Sequence, residues 1–202
     1  MFFDLGADDQ SKLRAFAADP LKALVAPRPI GWIGSRSAQH GDNLAPYSFF
    51  NMVCDAPPCV MFASSGQKDS VTNVELSGEF SCSMVSLPLA GAMNQSSKTC
   101  PPSTDEFALA GLEKAECKLI NAPYVAQALA HLECKVQQVI ELESTNAGRQ
   151  NKLVLGKVVG FRVSDTVISG EHIDAQALAL VARCGGANYS VADSLFQMQR
   201  PG

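Results

Sequence analysis

The sequence predicts a mainly β protein with peripheral helices, built as a small barrel or a sandwich. Two observations carry this. About six short segments are rich in β-branched and aromatic residues, and turn residues separate them at short intervals. The helical segments between them are also short. No long helix alternates with the strands, as a parallel dinucleotide-binding sheet would require.

The elements follow in order. Residues 19–26, DPLKALVA, read as a short helix with Asp19 as N-cap and Pro20 as its first residue. PRPIGWIGSRS (27–37) is a strand entered after two prolines, and His40-Gly41-Asp42-Asn43 supplies the turn that follows. NLAPYSFFNMV (43–53) is the return strand of the hairpin, and Pro46 marks it as an edge or a bulge. PPCVMFASS (57–65) is a strand, and DSVTNVELSGEF begins a helix that Gly78 stops. EFSCSMVS (79–86) is a strand in which Phe80, Cys82 and Met84 alternate with Ser81, Ser83 and Val85. LPLAGAMNQSS (87–97) and TDEFALAGL (104–112) are short helical pieces.

HLECKVQQVIELES (131–144) fits two periods. Leu132, Cys134, Val136, Ile140 and Leu142 alternate as in a strand, whereas Leu132, Val136, Val139 and Ile140 also suit a helix. Its β-branched content and the next run, KLVLGKVVGFRVSD (152–165), favour two antiparallel strands joined at TNAGRQN. ARCGGANYS (182–190) reads as a loop, and SVADSLFQMQ (190–199) as a last helix capped by Ser190.

The chain's 202 residues suit one domain over 1–202, and 47% hydrophobic against 18% charged residues is a globular composition. The net charge is −4 and no stretch concentrates Lys and Arg, so no nucleic-acid partner is expected. The N-terminus has no basic region before an apolar core, and no apolar run is long enough to span a bilayer. Neither secretion nor membrane insertion is expected. The seven cysteines are odd in number and form no CxxC, and the three histidines lie far apart. The expectation is therefore no disulfide framework, no metal, and a reducing cytoplasm.

Three stretches could carry chemistry. FASSGQKDSVTNVEL (62–76) packs small hydrogen-bonding residues between a strand and a helix. Asp69 or Ser70 can cap that helix, which leaves outward amides beside Lys68, Ser64 and Ser65. A helix start with such donors suits a phosphate. The plainer reading is a capped helix with a solvated lysine. GxxxxGK[ST] is absent, so this is not a nucleotide P-loop. In the early hairpin, Arg28, Trp32, Ser35, Asn43, Tyr47, Ser48 and Asn51 interrupt apolar bulk. They can frame a flat heteroaromatic ring, or simply face solvent. In ARCGGANYS, Arg183 can pair with an anion, or sit on the surface. Asp105-Glu106 reads as an acidic helix start. His131 and His172 have no nucleophile at motif spacing.

Taken in order, PRPIGWIGS, NLAPYSFFN, PPCVMFASSGQKDSVTNVELSGEFSCSMV, AMNQSS, DEFALAGL, LECKV, LVLGKVVGF and ARCGGANY resemble the flavin reductase-like FMN-binding proteins, over about residues 20–200. The resemblance implies a split β-barrel of Greek-key type and a homodimer with FMN near the subunit interface. It implies that Ser64, Ser65, Lys68, Asp69 and Ser70 lie along the phosphate and ribityl chain. Trp32, Tyr47, Ser48 and Asn51 would lie along the isoalloxazine, with Asn94 and Arg183 at the rim or on the partner subunit. The carboxylate of Asp69 is expected to face the helix amides and not the anion.

The function implied is hydride transfer from NADH or NADPH to flavin, then to a small-molecule or protein acceptor. The alternative is an FMN-binding electron carrier without its own nicotinamide site. Shorter relatives often carry Gly-Asp-His before a late strand, with the histidine near the nicotinamide. The matching GRQNKLVLG has Asn151 and Lys152 and no histidine.

Overall fold

The structure is a computed structural model, and it describes residue 2 and residues 16–102, 104–144 and 148–202. The chain enters through α1 (Pro20–Leu24), where the Asp19 carboxylate accepts the Leu21 N–H as the expected cap. β1 (Arg28–Pro29), β2 (Gly31–Ser37) and β3 (Gly41–Tyr47) follow. β2 and β3 form the predicted hairpin, with Gly31 opposite Tyr47 and Ser37 opposite Gly41. β3 is an edge strand, which accommodates Pro46 without a lost ladder bond.

The return strand does not continue to Val53 as expected. It breaks at Ser48-Phe49, and β4 (Phe50–Asp55) pairs instead with β5 (Pro58–Ser65). Tyr47 and Phe50 both belong to the same buried cluster. An unbroken strand would send residues three apart to opposite faces, so the break lets both rings turn inward.

α2 (Asp69–Ser77) ends at Gly78, whose φ of +70° supplies the left-handed cap that residue type favours. Next come β6 (Glu79–Met84), α3 (Ala90–Gln95), α4 (Glu106–Leu109), β7 (Lys114–Glu116) and β8 (Pro123–Val125). The ambiguous segment is a strand, β9 (Ala130–Leu142), and it pairs antiparallel with β10 (Asn151–Val163). Part of the joint expected between them, residues 145–147, lies outside the described residues. β11 (Ile168–Ser169), β12 (His172–Ile173), α5 (Ala175–Leu178), β13 (Val181–Gly185) and β14 (Asn188–Val191) complete the order.

Seven strands form one antiparallel sheet in the order β3-β2-β6-β9-β10-β5-β4. The sheet curls until β3, at one edge, meets β5 beside the other. The result is the split barrel and not a sandwich. Ile33, Phe62, Phe80, Cys82, Cys134 and Val154 fill the interior. Val71 and Val74 of α2 join the same cluster, so the helix plugs the barrel. Tyr47 packs tilted on Phe62, and Phe62 meets Phe80 edge to face, with ring centroids 4.8 and 5.3 Å apart. A second cluster on the outer face holds Ile30, Trp32, Leu44, Met93 and Phe107. Trp32 and Ile33 enter different clusters because neighbours on a strand face opposite ways.

One strand is covered more fully than its alternation requires, and two expectations need correction. β6 is buried on both faces, since the β7–β8 hairpin covers its serine face: Ser81 Oγ donates to the Pro123 carbonyl at 2.5 Å. ARCGGANYS is not a loop but most of the β13–β14 hairpin, because β1 offers a partner edge with Arg28 opposite Arg183. The last helix is absent. Ser190 and Val191 are committed to β14, and Leu195, Phe196 and Met198 beyond it are exposed. A short helix with no apolar face buried does not hold itself in water.

One close approach is tested easily. A Cβ at Gly34 would lie 2.2 Å from the Pro123 carbonyl oxygen. Backbone cannot swing away as a side-chain tip can, so Gly34→Ala is expected to cost about 1–3 kcal/mol of stability. Urea unfolding measures this, and an unchanged midpoint contradicts the packing described.

Candidate functional site

The start of α2 faces a cleft and no side chain closes it. Lys68 is the N-cap residue, with extended backbone (φ −126°, ψ 164°) and no side-chain bond to the first turn. Neither Asp69 nor Ser70 caps the helix, contrary to expectation, and the Asp69 carboxylate does not bond to its amides. The reason lies in the neighbours. The Ser70 hydroxyl is drawn inward, where it donates to Asn43 Oδ1 at 2.5 Å. Asp69 is itself the first helical residue, one position past the cap. The first intrahelical bond runs from Thr72 N to the Lys68 carbonyl, which leaves the preceding amides of the turn without a helical partner.

Polar bonds fix the helix start against the β2–β3 hairpin. Ser37 Oγ donates to Asn73 Oδ1 at 2.6 Å, and Asn73 Nδ2 donates to the Gly41 carbonyl at 3.1 Å. Asn43 Nδ2 donates to Glu106 Oε2 at 3.0 Å, and the same oxygen accepts the Leu44 N–H at 3.1 Å. Asn43, Ser70, Asn73 and Glu106 are all buried.

The cleft has a volume of about 360 Å³ and is lined by Tyr47, Lys68, Asp69, Ser70, Lys98 and Glu106, among others. Lys68 Nζ lies 5.8 Å from the centroid of the Tyr47 ring, at the outer limit of a cation–π contact. Tyr47 is 5% exposed, and its buried hydroxyl has no hydrogen-bond partner of good geometry. Burial pushes that hydroxyl's pKa up. A larger apolar cleft of about 720 Å³, beside α1 and Cys184–Gly186, contains none of the expected site residues.

The other expected residues are dispersed. Ser64 is buried beside the cleft's loop, with its hydroxyl donating to the Gly66 carbonyl at 2.9 Å, and Ser65 is exposed at the end of β5. Ser48 and Arg183 share a separate cleft of about 350 Å³ with Arg28 and Phe49, and Asp19, Gly185 and Gly186 also line the larger apolar cleft. The Arg183 guanidinium lies 4.5 Å over the Tyr189 ring and bonds to its hydroxyl and to the Gly186 carbonyl. Arg28 is buried, and its guanidinium gathers the Lys22 and Val25 carbonyls. Trp32 is fully buried and does not itself line the cleft, though its Nε1 donates at 2.9 Å to Ser96 Oγ, a residue that does. Asn51 is exposed on β4, and its own Oδ1 accepts the Met52 N–H. Asn94 is exposed on α3 near Tyr189.

Three residues escaped the sequence reading. Asp105 does cap α4, accepting the Phe107 and Ala108 N–H groups, but Glu106 turns into the cleft. Nothing local separates these two acids. Lys98 lies in a loop with no motif. Arg149 lies over the Gly66 turn, its Nε 3.7 Å from where a Cβ would stand. In the GRQNKLVLG stretch, Lys152 is buried opposite Ser64 and its ammonium is paired with Glu75.

Glu106 yields a pH prediction. Burial holds its pKa above the ordinary 4.5, against the bonds from Leu44 and Asn43. The folded state therefore binds this proton more tightly than the unfolded state. The resulting stability is present below about 4.5 and is lost as pH rises through the folded value. Glu106→Gln keeps an oxygen for both donors and cannot ionise. Unfolding free energies compared over this range are expected to show wild type losing stability relative to the variant as pH rises. A wild type that keeps pace with the variant, or gains on it, as pH rises contradicts the assignment.

A family model described as flavin reductase like domain matches residues 24–178. A protein of Deinococcus radiodurans is 38% identical, over 98% of this chain and 88% of its own. Nitrilotriacetate monooxygenase component B from Bacillus cereus superposes with a TM-score of 0.88 at 27% identity, covering 98% of this chain and 99% of that one. Pseudomonas fluorescens 2-nitrobenzoate 2-nitroreductase NbaA shares the fold, with a TM-score of 0.84 at 23% identity over 100% and 96% of the two chains.

Proposed function

The chain belongs to the flavin reductase like family, and from that premise we propose that it is an FMN-binding oxidoreductase. In this reading, residues 1–202 act as one domain that accepts hydride from NADH or NADPH and delivers electrons to a small-molecule or protein acceptor. The observation that carries it is the uncapped start of α2 in the cleft, with the Lys68 ammonium beside it. A phosphate there meets backbone N–H groups, the positive end of the helix and a lysine. The unpartnered Tyr47 hydroxyl offers a further donor at the same place.

When bound, the flavin supplies the redox chemistry, taking up the hydride and passing electrons on. The chain's own residues bind and orient. Lys68 and the amides of residues 69–71 hold the phosphate. Ser70 acts by fixing the helix start, since its hydroxyl proton is spent on Asn43. Tyr47 forms a wall, and Ser64, Ser65 and Arg149 flank the loop. Asp69 faces the cleft without a capping bond, so its charge limits how close an anion approaches on that side. Ser48, Phe49 and Arg183 belong to a separate cleft. Trp32 supports the hairpin from behind.

A homodimer with the flavin near its interface is part of the proposal. The edge strand β4 exposes Met52 and Val53, and β10 exposes Phe161. An apolar edge of this kind invites a partner. Seven unpaired cysteines agree with a reducing cytoplasm. No helix among the described residues is long and apolar enough to cross a membrane.

A second reading is an electron carrier with no nicotinamide site. The GRQNKLVLG stretch, which carries no histidine and buries Lys152 against Glu75, favours it. Stopped-flow mixing of the FMN-loaded protein with NADH and with NADPH separates the two. Rapid bleaching with either nucleotide supports the reductase, and none with both supports the carrier.

The phosphate assignment has its own test. Lys68→Ala is expected to weaken FMN binding by roughly 1.5–3 kcal/mol, or about one to two decades in Kd. Fluorescence titration reads this directly, and an unchanged Kd removes Lys68 from the site.

A further inference from the structure

Three side chains that lie apart in the sequence meet beneath the β7–β8 hairpin. His131 and Glu133 are alternate residues of β9, so they point to one face. On the neighbouring strand β6, Ser83 stands opposite His131 and Ser81 opposite Glu133. These serines hold the hairpin down: Ser81 Oγ donates to the Pro123 carbonyl, and Val125 N–H donates to Ser83 Oγ at 3.1 Å. Cys117 begins the turn of that hairpin, with its N–H bonded to the Ala122 carbonyl at 3.3 Å. Its thiol therefore arrives over the strand pair. One ligand atom from each of Cys117, His131 and Glu133 lies within 4.8 Å of the other two.

Two further observations set this cluster apart from ordinary core polarity. The Glu133 carboxylate is aimed by two backbone donors, Lys118 N–H on Oε1 at 3.0 Å and Leu119 N–H on Oε2 at 2.7 Å. The His131 ring is 2% exposed and stacks on Tyr124 at 3.7 Å, yet its Nδ1 has no hydrogen-bond partner. Its Nε2 stands 3.5 Å from Glu133 Oε1, too far for a strong bond. A buried imidazole used only for packing would be costly with its polar atoms so poorly served.

We propose that Cys117, His131 and Glu133 bind a zinc ion. Thiolate, imidazole and carboxylate at one point suit this borderline-soft dication, whereas magnesium and calcium take oxygen shells. Zinc bonds of about 2.0–2.3 Å in a tetrahedron set ligand atoms roughly 3.3–3.8 Å apart. The cluster reaches that spacing by closing about 1 Å, which a rotation of the half-buried Cys117 supplies. The fourth position opens to water on the Cys117 side. The two amides on Glu133 are the outer support that orients a ligand before the metal arrives. The ion ties the turn after β7 to β9, a connection otherwise made by these two amide bonds alone among the bonds to Glu133.

The test uses the full-length FMN-loaded protein with its thiols reduced. Zinc uptake is measured by competition with a chromophoric chelator, for wild type, Cys117→Ser and, as a control on the other thiols, Cys184→Ser. The expected result is one ion per chain in wild type and in Cys184→Ser, with a raised melting temperature. In Cys117→Ser, affinity falls by roughly tenfold or more and zinc no longer raises the melting temperature. Zinc-edge X-ray absorption on the wild type should show one sulfur and a majority of nitrogen and oxygen neighbours, whether or not the variant folds. Absence of stoichiometric zinc, equal affinity in Cys117→Ser, or a sulfur-dominated shell overturns the site.

Discussion

The buried amide of Asn43 joins three parts of the molecule. Its oxygen takes the Ser70 hydroxyl at the start of α2, and its nitrogen serves Glu106 from α4. Both bonds are shielded from water, where an unmade bond costs more than a made one gains. The position of the helix start relative to the hairpin therefore depends on this residue, with Asn73 giving a second tie one turn along. The barrel supplies the floor: Val71 and Val74 seat α2 among Phe62, Phe80 and Cys134. Polar bonds orient the helix and apolar burial holds it down.

That arrangement explains why the start of α2 stays open onto the cleft. The usual cap residues are present in the sequence, but one is pulled into the Asn43 network and the other falls a position late. The helix start stays open because Lys68 holds the N-cap position, and its side chain has no oxygen to accept the first amides. The cleft then combines two lysines with two acids.

Much of the fold was legible in the sequence. The α1 cap, the Gly78 stop, the edge position of Pro46 and the paired long strands all rest on local chemistry, and local chemistry is what a sequence displays. The failures are tertiary. Ser190 looked like a cap until β13 claimed it as a partner. Ser48-Phe49 looked like strand interior until the barrel required Tyr47 and Phe50 on one side. Trp32 looked available to a ring and is spent on the outer core. Glu106 looked like a solvated helix start, and only the approach of Asn43 from another strand turns it inward. Cys117, in the turn after β7, and His131, on β9, are fourteen positions apart, and no spacing rule brings them together.

Asn43 also limits how the sequence can drift. An aspartate there would set one carboxylate against another at Glu106, and a leucine of similar size would strand both the serine and the acid. A change at Ser70 or Glu106 alone leaves the amide half-served. The three positions can move only as a set, so chains that keep this cleft should vary freely on the rim around it and hardly at all in the connector behind it.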